Sequence, residues 1–183
     1  MDQSLKEDIL QEERLFEGRV LDLRRYQVEL PDHRQSSREI IIHHGGAAIL
    51  ALDQDHSIYF VRQYRLATGQ ELIELPAGKL EKDEDPLACA KRELREETGC
   101  TAARWRALAS FYVSPGYTSE KLHLFLAEDL AQGEQDLDPG EHLQLFKLPH
   151  DEAMRRMLDG EIEDAKTMIG LLMLQRLMDK SGN

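Results

Sequence analysis

The sequence predicts an α+β fold, a mixed α/β sandwich with a small additional antiparallel sheet near its N-terminal end. Three observations carry that expectation. Short apolar or β-branched runs bounded by turn signals outnumber the helical patterns. One long segment, Pro86 to Thr98, has a complete set of helix signals. Strands and helices do not alternate regularly, which argues against a doubly wound sheet. With 183 residues, 41% of them hydrophobic, the chain suits one domain or one domain with a small appendage, and it can bury a core without disulfides or structural metal.

The elements follow in order. Val20 to Leu30, closed by Pro31-Asp32, and the run Ile40-Ile41-Ile42 read as strands of an N-terminal sheet, with a loop at His33 to Ser37. This region, residues 1–44, is taken as one part of the chain and residues 45–183 as the main domain. Gly45-Gly46 breaks the pattern. Ala47 to Leu52 and Ile58 to Val61, separated by Asp53-Gln54-Asp55-His56, read as a hairpin of a central sheet. Glu71 to Leu75 is a strand stopped by Pro76. In the helix Pro86 to Thr98, Asp85 suits the N-cap, Pro86 the first helical position and Gly99 the C-terminal stop. Strands near Trp105 to Val113 and Leu122 to Leu126 come next. An acidic loop, Ala131 to His142, precedes two helices: one through Met154, Met157 and Leu158 to Gly160, one from Met168 toward Met178.

Charge excludes some functions. Lys and Arg number 23 against 35 Asp and Glu, a net charge of −12. That balance argues against sequence-independent nucleic-acid binding and against an electrostatic anchor on anionic membranes, whereas it attracts cations. No apolar run approaches a membrane span. The opening MDQSLKEDIL is polar and acidic, unlike a secretory signal, so a cytoplasmic location is expected. Cys89 and Cys100 are too few for a disulfide framework and read as reduced thiols. The histidines lack zinc spacing, and successive strand side chains such as His43 and His44 point to opposite faces.

The chemistry is concentrated in Gly78 to Cys100, GKLEKDEDPLACAKRELREETGC. At about 100° per residue, Glu93, Glu96 and Glu97 share one face of the helix, beside an apolar stripe of Leu87, Ala90 and Leu94. Three like charges on one face repel. Arg92, four residues before Glu96, can orient it, and a hard divalent cation, Mg²⁺ or Mn²⁺, would neutralise the rest. On these three residues alone a solvated acidic face is the competing reading.

The wider spacing tips that balance. The segment resembles the Nudix box, G-x5-E-x7-R-E-U-x-E-E-x-G-U, where U is a bulky aliphatic residue. Gly78, Glu84, Arg92, Glu93, Glu96, Glu97 and Gly99 fill its fixed positions, Leu94 fills the first aliphatic one, and Cys100 departs from the last. The resemblance implies a Nudix-type α/β/α sandwich with a mixed central sheet, and a hydrolase for a nucleoside diphosphate linked to another group. It implies metal ligation by Glu93, Glu97 and the Ala77 carbonyl, with Glu96 assisting and with Glu84 and Arg92 supporting the loop.

A second resemblance narrows the substrate. Ser114-Pro115-Gly116, Val61 to Arg65, Glu74-Leu75-Pro76-Ala77-Gly78 and Asp164-Ala165-Lys166-Thr167 are similar to segments of the ADP-ribose pyrophosphatase subfamily, in the same order. Together they extend the likeness over roughly Phe16 to Leu174. It implies hydrolysis of ADP-ribose to AMP and ribose 5-phosphate, and a homodimer that exchanges the N-terminal sheet with substrate held between subunits. Arg38, Arg65, Pro115 and Gly116 are then the candidate substrate contacts. The implied general base is a carboxylate of the acidic loop, among Glu134, Asp136, Asp138 and Glu141, with Glu141 the best match by its place before Leu143 to Phe146. Two alternatives stand beside this: another nucleoside diphosphate sugar such as GDP-mannose, or a sensor that binds ADP-ribose without hydrolysis.

Overall fold

The computed structural model describes residues 4–181. Ten strands and three helices are assigned within it. They divide into two compact units, one made of the chain up to Gly45 together with Phe111–Lys121, the other of Gly46–Ser110 and the chain from Leu122 onward.

The first unit is a three-stranded antiparallel sheet of β1 (Asp8–Glu17), β2 (Asp22–Glu29) and β3 (Gln35–Ile42), in that order. The two strands expected here are β2 and β3. The third, β1, lies where the sequence shows no strand pattern. Its charges are irregularly spaced, and its apolar residues Ile9, Leu10 and Phe16 are exposed rather than alternating into a core, so period-2 reasoning has nothing to detect. The segment Phe111–Lys121 is stitched to β3: the Ile41 N–H donates to the Tyr117 carbonyl at 2.8 Å, and the Ser119 N–H to the Ile41 carbonyl at 3.0 Å.

The second unit has two sheets. The four-stranded one has the order β7 (Ala77–Lys79), β4 (Gly46–Ala51), β9 (Lys121–Ala131), β8 (Thr101–Tyr112). It is mixed, because β4 pairs antiparallel with β7 and parallel with β9. Every residue of β4 is buried, as its unbroken small and apolar sequence requires of a central strand. The other sheet is antiparallel, in the order β10 (Leu143–Pro149), β5 (Ser57–Arg65), β6 (Gln70–Glu74). The expected β4–β5 hairpin is therefore corrected. The two strands belong to different sheets; just past the end of β4 stands an isolated antiparallel bridge, Leu52 to Ile58, with the Asp53 N–H on the Ser57 carbonyl at 2.8 Å. β4 finds its ladders with β7 and β9, and β5 with β10 and β6.

Helix α1 (Pro86–Thr98) has the expected bounds and caps. The Asp85 carboxylate accepts the Leu87 and Ala88 N–H groups, both at 3.0 Å. Gly99 closes the helix at φ 73°, a left-handed conformation that disfavours a side chain. A Cβ there would also lie 2.6 Å from the Gly133 carbonyl oxygen. The helix buries Cys89, Ala90 and Leu94 in a core with Ala47, Ile49, Ala51, Tyr59 and Phe125. A buried leucine such as Leu94 contributes ~1.5–3 kcal/mol. Helices α2 (His150–Leu158) and α3 (Ala165–Ser181) complete the unit. Both cysteines are buried and unpaired. Among the described residues, no helix is long and apolar enough to cross a membrane.

Candidate active site

Helix α1 presents its carboxylates to β7 and to the loop 80–85. Arg92 organises the loop. Its Nε and a terminal nitrogen donate to the two Glu84 oxygens, each at 3.1 Å, and a terminal nitrogen donates to the Lys79 carbonyl at 3.2 Å. Glu84 in turn accepts the Glu81 N–H at 2.9 Å. The same guanidinium donates to Glu93 Oε1 at 2.6 Å and to Glu96 Oε2 at 3.0 Å, so the expected i,i+4 pair forms. One arginine thus balances three of the box carboxylates.

Glu97 lies deepest, at 4% exposure. Its Oε2 accepts the Ala77 N–H at 2.9 Å. Burial pushes its carboxyl up to about 8, against the pull of that N–H, and the charges of Glu93 and Glu141 add to the rise. Burial also raises Glu93; Arg92 pulls it back, while Glu96 and Glu141 push the same way as burial. Glu141 is exposed, on the turn closed by its own N–H to the Asp138 carbonyl at 2.9 Å, yet its charge reaches both carboxylates. The start of the same loop is tied to the end of α1. Gln132 donates to the Thr98 carbonyl at 3.2 Å and the Asp136 N–H to the Glu96 carbonyl at 3.0 Å.

The three helix carboxylates do not converge on one point in this structure. Glu93 and Glu96 turn to Arg92 and Glu97 turns to Ala77. Among the described residues, no group of three His, Cys, Asp or Glu side chains has the arrangement of a metal centre. The donors still fit a hard divalent cation. They are oxygen atoms, two of them on carboxylates whose ionised forms are disfavoured by burial and by neighbouring glutamates. Backbone geometry adds another oxygen. The Ile49 N–H takes the Pro76 carbonyl at 2.8 Å, so the next pair, Ala48 with Ala77, exchanges no ladder bond. The Ala77 N–H and C=O therefore both face away from β4, and the N–H reaches Glu97. Gly78 completes the cradle, because a Cβ there would lie 1.8 Å from Glu93 Oε1. Only a residue without a side chain lets that carboxylate rest against β7. Cys89 fits as a small buried neighbour. Burial pushes its thiol up to about 12.

A family model spans the segment that holds Gly78, Glu84, Arg92 and the three glutamates. The NUDIX domain model covers residues 42–169. The chain belongs to the Nudix family. Hydrolases of this family generally depend on a divalent metal. Among curated relatives, this Nudix chain is 40% identical over 174 residues to an ADP-ribose pyrophosphatase of Bacillus subtilis, covering 94% of each chain. It is 40% identical over 177 residues to a methanol dehydrogenase activator of Bacillus methanolicus, with 96% of each covered. To a GDP-mannose pyrophosphatase of Shigella flexneri it is 36% identical, over 86% of this chain and 87% of that one. A crystal structure of an ADP compounds hydrolase superposes with a TM-score of 0.86 over 99% of both chains at 22% identity, which makes the Nudix fold plain. The protein is a Nudix pyrophosphohydrolase.

The sequence-derived substrate residues fall in two places. In the first unit, Arg38, Pro115 and Gly116 share the lining of an open cavity of about 500 Å³ with Tyr26, Ile40 and Glu7. Arg38 donates to Glu7 at 2.5 Å and to Ser36 at 2.8 Å. Arg65 belongs to the second unit and is turned to Glu74, with its Nε on Oε1 at 2.6 Å and a terminal nitrogen on Oε2 at 2.8 Å. Sequence reasoning quoted Glu74 and Lys166 only as parts of matching segments and gave neither a role. The structure joins them in one buried ion pair.

Proposed function

We propose that this protein hydrolyses the diphosphate bond of ADP-ribose, adding one water to give AMP and ribose 5-phosphate. The observation that carries the reading is the carboxylate pair on β7, with Glu97 on the Ala77 N–H and Glu93 resting where Gly78 lacks a side chain. The high similarity to an ADP-ribose pyrophosphatase over nearly the whole chain favours ADP-ribose. GDP-mannose is the second reading, supported by a less similar relative.

Glu93, Glu97 and the Ala77 carbonyl would hold a divalent cation, Mg²⁺ or Mn²⁺, with Glu96 assisting. When bound, it neutralises charge on the diphosphate and lowers the pKa of water. Arg92 and Glu84 fix the loop that carries these donors. We assign Glu141 as general base, which accepts the proton of the attacking water. Its electrostatic reach to Glu93 and Glu97 supports that role. Arg38, Pro115 and Gly116 would contact the adenosine or phosphate end of the substrate, with the shared cavity in support. Arg65 is kept as a second cation for the phosphates, since its side chain remains 43% exposed. We further propose that the protein is a cytoplasmic homodimer that exchanges the N-terminal sheet. The exposed Ile9, Leu10 and Phe16 of β1 support a partner for that sheet.

A panel of nucleoside diphosphate sugars tests the substrate. ADP-ribose is expected to give the highest kcat/KM, with AMP and ribose 5-phosphate as products. A higher kcat/KM for GDP-mannose would replace the first reading with the second.

A further inference from the structure

The segment Glu74-Leu75-Pro76-Ala77 carries the carbonyl proposed for the metal, yet it ends at a prolyl bend with few ladder bonds of its own. What holds it is the first turn of α3, about 90 residues away in sequence. The Leu75 N–H donates to Thr167 Oγ1 at 2.8 Å. That hydroxyl donates onward to Asp164 Oδ2 at 2.6 Å, which also accepts the Thr167 N–H at 3.0 Å. Asp164 thereby caps α3 and fixes the hydroxyl's direction at once. Beside it, the Lys166 ammonium donates to Glu74 Oε2 and to Asp164 Oδ1, the latter at 3.0 Å. Thr167, Glu74 and Leu75 are almost wholly buried, and Lys166 is 9% exposed. The helix can come this close because residue 170 is glycine: a Cβ there would lie 2.7 Å from Leu75 Cδ1.

The contacts run in series. Thr167 holds the Leu75 N–H, β4 takes the Pro76 carbonyl, and Glu97 takes the Ala77 N–H. Three consecutive residues are thus pinned from three elements, and the Ala77 carbonyl has little freedom left. We propose that Lys166 and Thr167 are positioning residues, which hold the Glu74–Ala77 segment so that the Ala77 carbonyl and Glu97 stay in register for a divalent cation. The proposal rests on the metal site proposed above. Neither residue touches the reacting atoms; each acts through backbone that does. Burial pushes the Glu74 carboxyl up, but Arg65 and Lys166 outweigh it and hold it below its usual value. Removing Lys166 therefore leaves Glu74 paired with Arg65, and the fold should tolerate the loss.

The test is Mn²⁺ binding to the substrate-free protein, read by electron paramagnetic resonance, for wild type, Thr167→Val, Thr167→Ser and Lys166→Met. Thr167→Val keeps the volume and removes the acceptor for Leu75; Thr167→Ser keeps the hydroxyl. Outer partners of metal ligands are worth about 10–100-fold in metal affinity. Thr167→Val and Lys166→Met are expected to weaken Mn²⁺ binding by about 10-fold or more, and Thr167→Ser to stay within about 3-fold of wild type. The KM for substrate at saturating metal should change little. If Thr167→Val and Lys166→Met lower the melting temperature yet bind Mn²⁺ as wild type does, the role is structural only and the proposal fails. Should Thr167→Val not fold, Lys166→Met decides by the same criterion. Wild-type protein that binds no Mn²⁺ would overturn the metal site itself, and this proposal with it.

Discussion

Glu97→Gln is expected to lower kcat by about 10²–10³-fold and to weaken divalent-metal binding, while the protein stays folded. A divalent cation supplies several kcal/mol of charge stabilisation, and each 1.36 kcal/mol is a factor of ten. Glutamine keeps the volume of the buried side chain and can still accept the Ala77 N–H that Glu97 Oε2 accepts at 2.9 Å. It also removes a carboxylate that burial already opposes, with the Glu93 and Glu141 charges adding to that opposition. The melting temperature without metal should therefore hold or rise. Kinetics with Mg²⁺ and a thermal melt in chelator check both halves. Normal turnover by Glu97→Gln would remove Glu97 from the site.

Gly78→Ala is the second large effect, and it separates chemistry from folding. The added Cβ would meet Glu93 at 1.8 Å to Oε1, 1.9 Å to Cδ and 2.4 Å to Oε2. All three atoms sit at the end of a flexible side chain, so the carboxylate swings away and the strand does not break. Glu93 then leaves its place beside Ala77, and misplacement on the order of 1 Å costs about 10²-fold in rate. Activity should fall by about that factor. The melting temperature should change little. A variant with unchanged kcat/KM would mean that Glu93 need not lie against β7.

The sequence makes this region legible because its determinants are local. Asp85, Pro86 and Gly99 delimit one helix, and helical period alone brings Glu93, Glu96 and Glu97 to one face. Gly78, Glu84 and Arg92 lie within that same short stretch, and their contacts cross only a loop. Elsewhere the determinants are distant. Strands β4 and β5 are adjacent in sequence, but each pairs with partners from far along the chain, so a short linker read as a hairpin misleads. The strand β1 lacks an alternating pattern: Ile9, Leu10 and Phe16 are exposed and Leu15 is half-buried. The Glu74–Lys166 pair spans 92 residues, and no local pattern announces a lysine whose partner is a strand end in another sheet. For Glu141 the sequence offers only a place before β10, because its nearness to the helix carboxylates depends on how the acidic loop folds back.

The net charge of −12 argues against anionic surfaces as partners without naming a function. A few of those carboxylates, held by one arginine and by the strand at Gly78, form the proposed cation site. The most direct measurement is release of AMP and ribose 5-phosphate from ADP-ribose by the wild-type protein, with Mg²⁺ and with excess chelator. Turnover that requires Mg²⁺ and stops in chelator is the expected result. Turnover that continues undiminished in chelator, or no turnover of ADP-ribose at any Mg²⁺ concentration, would contradict it.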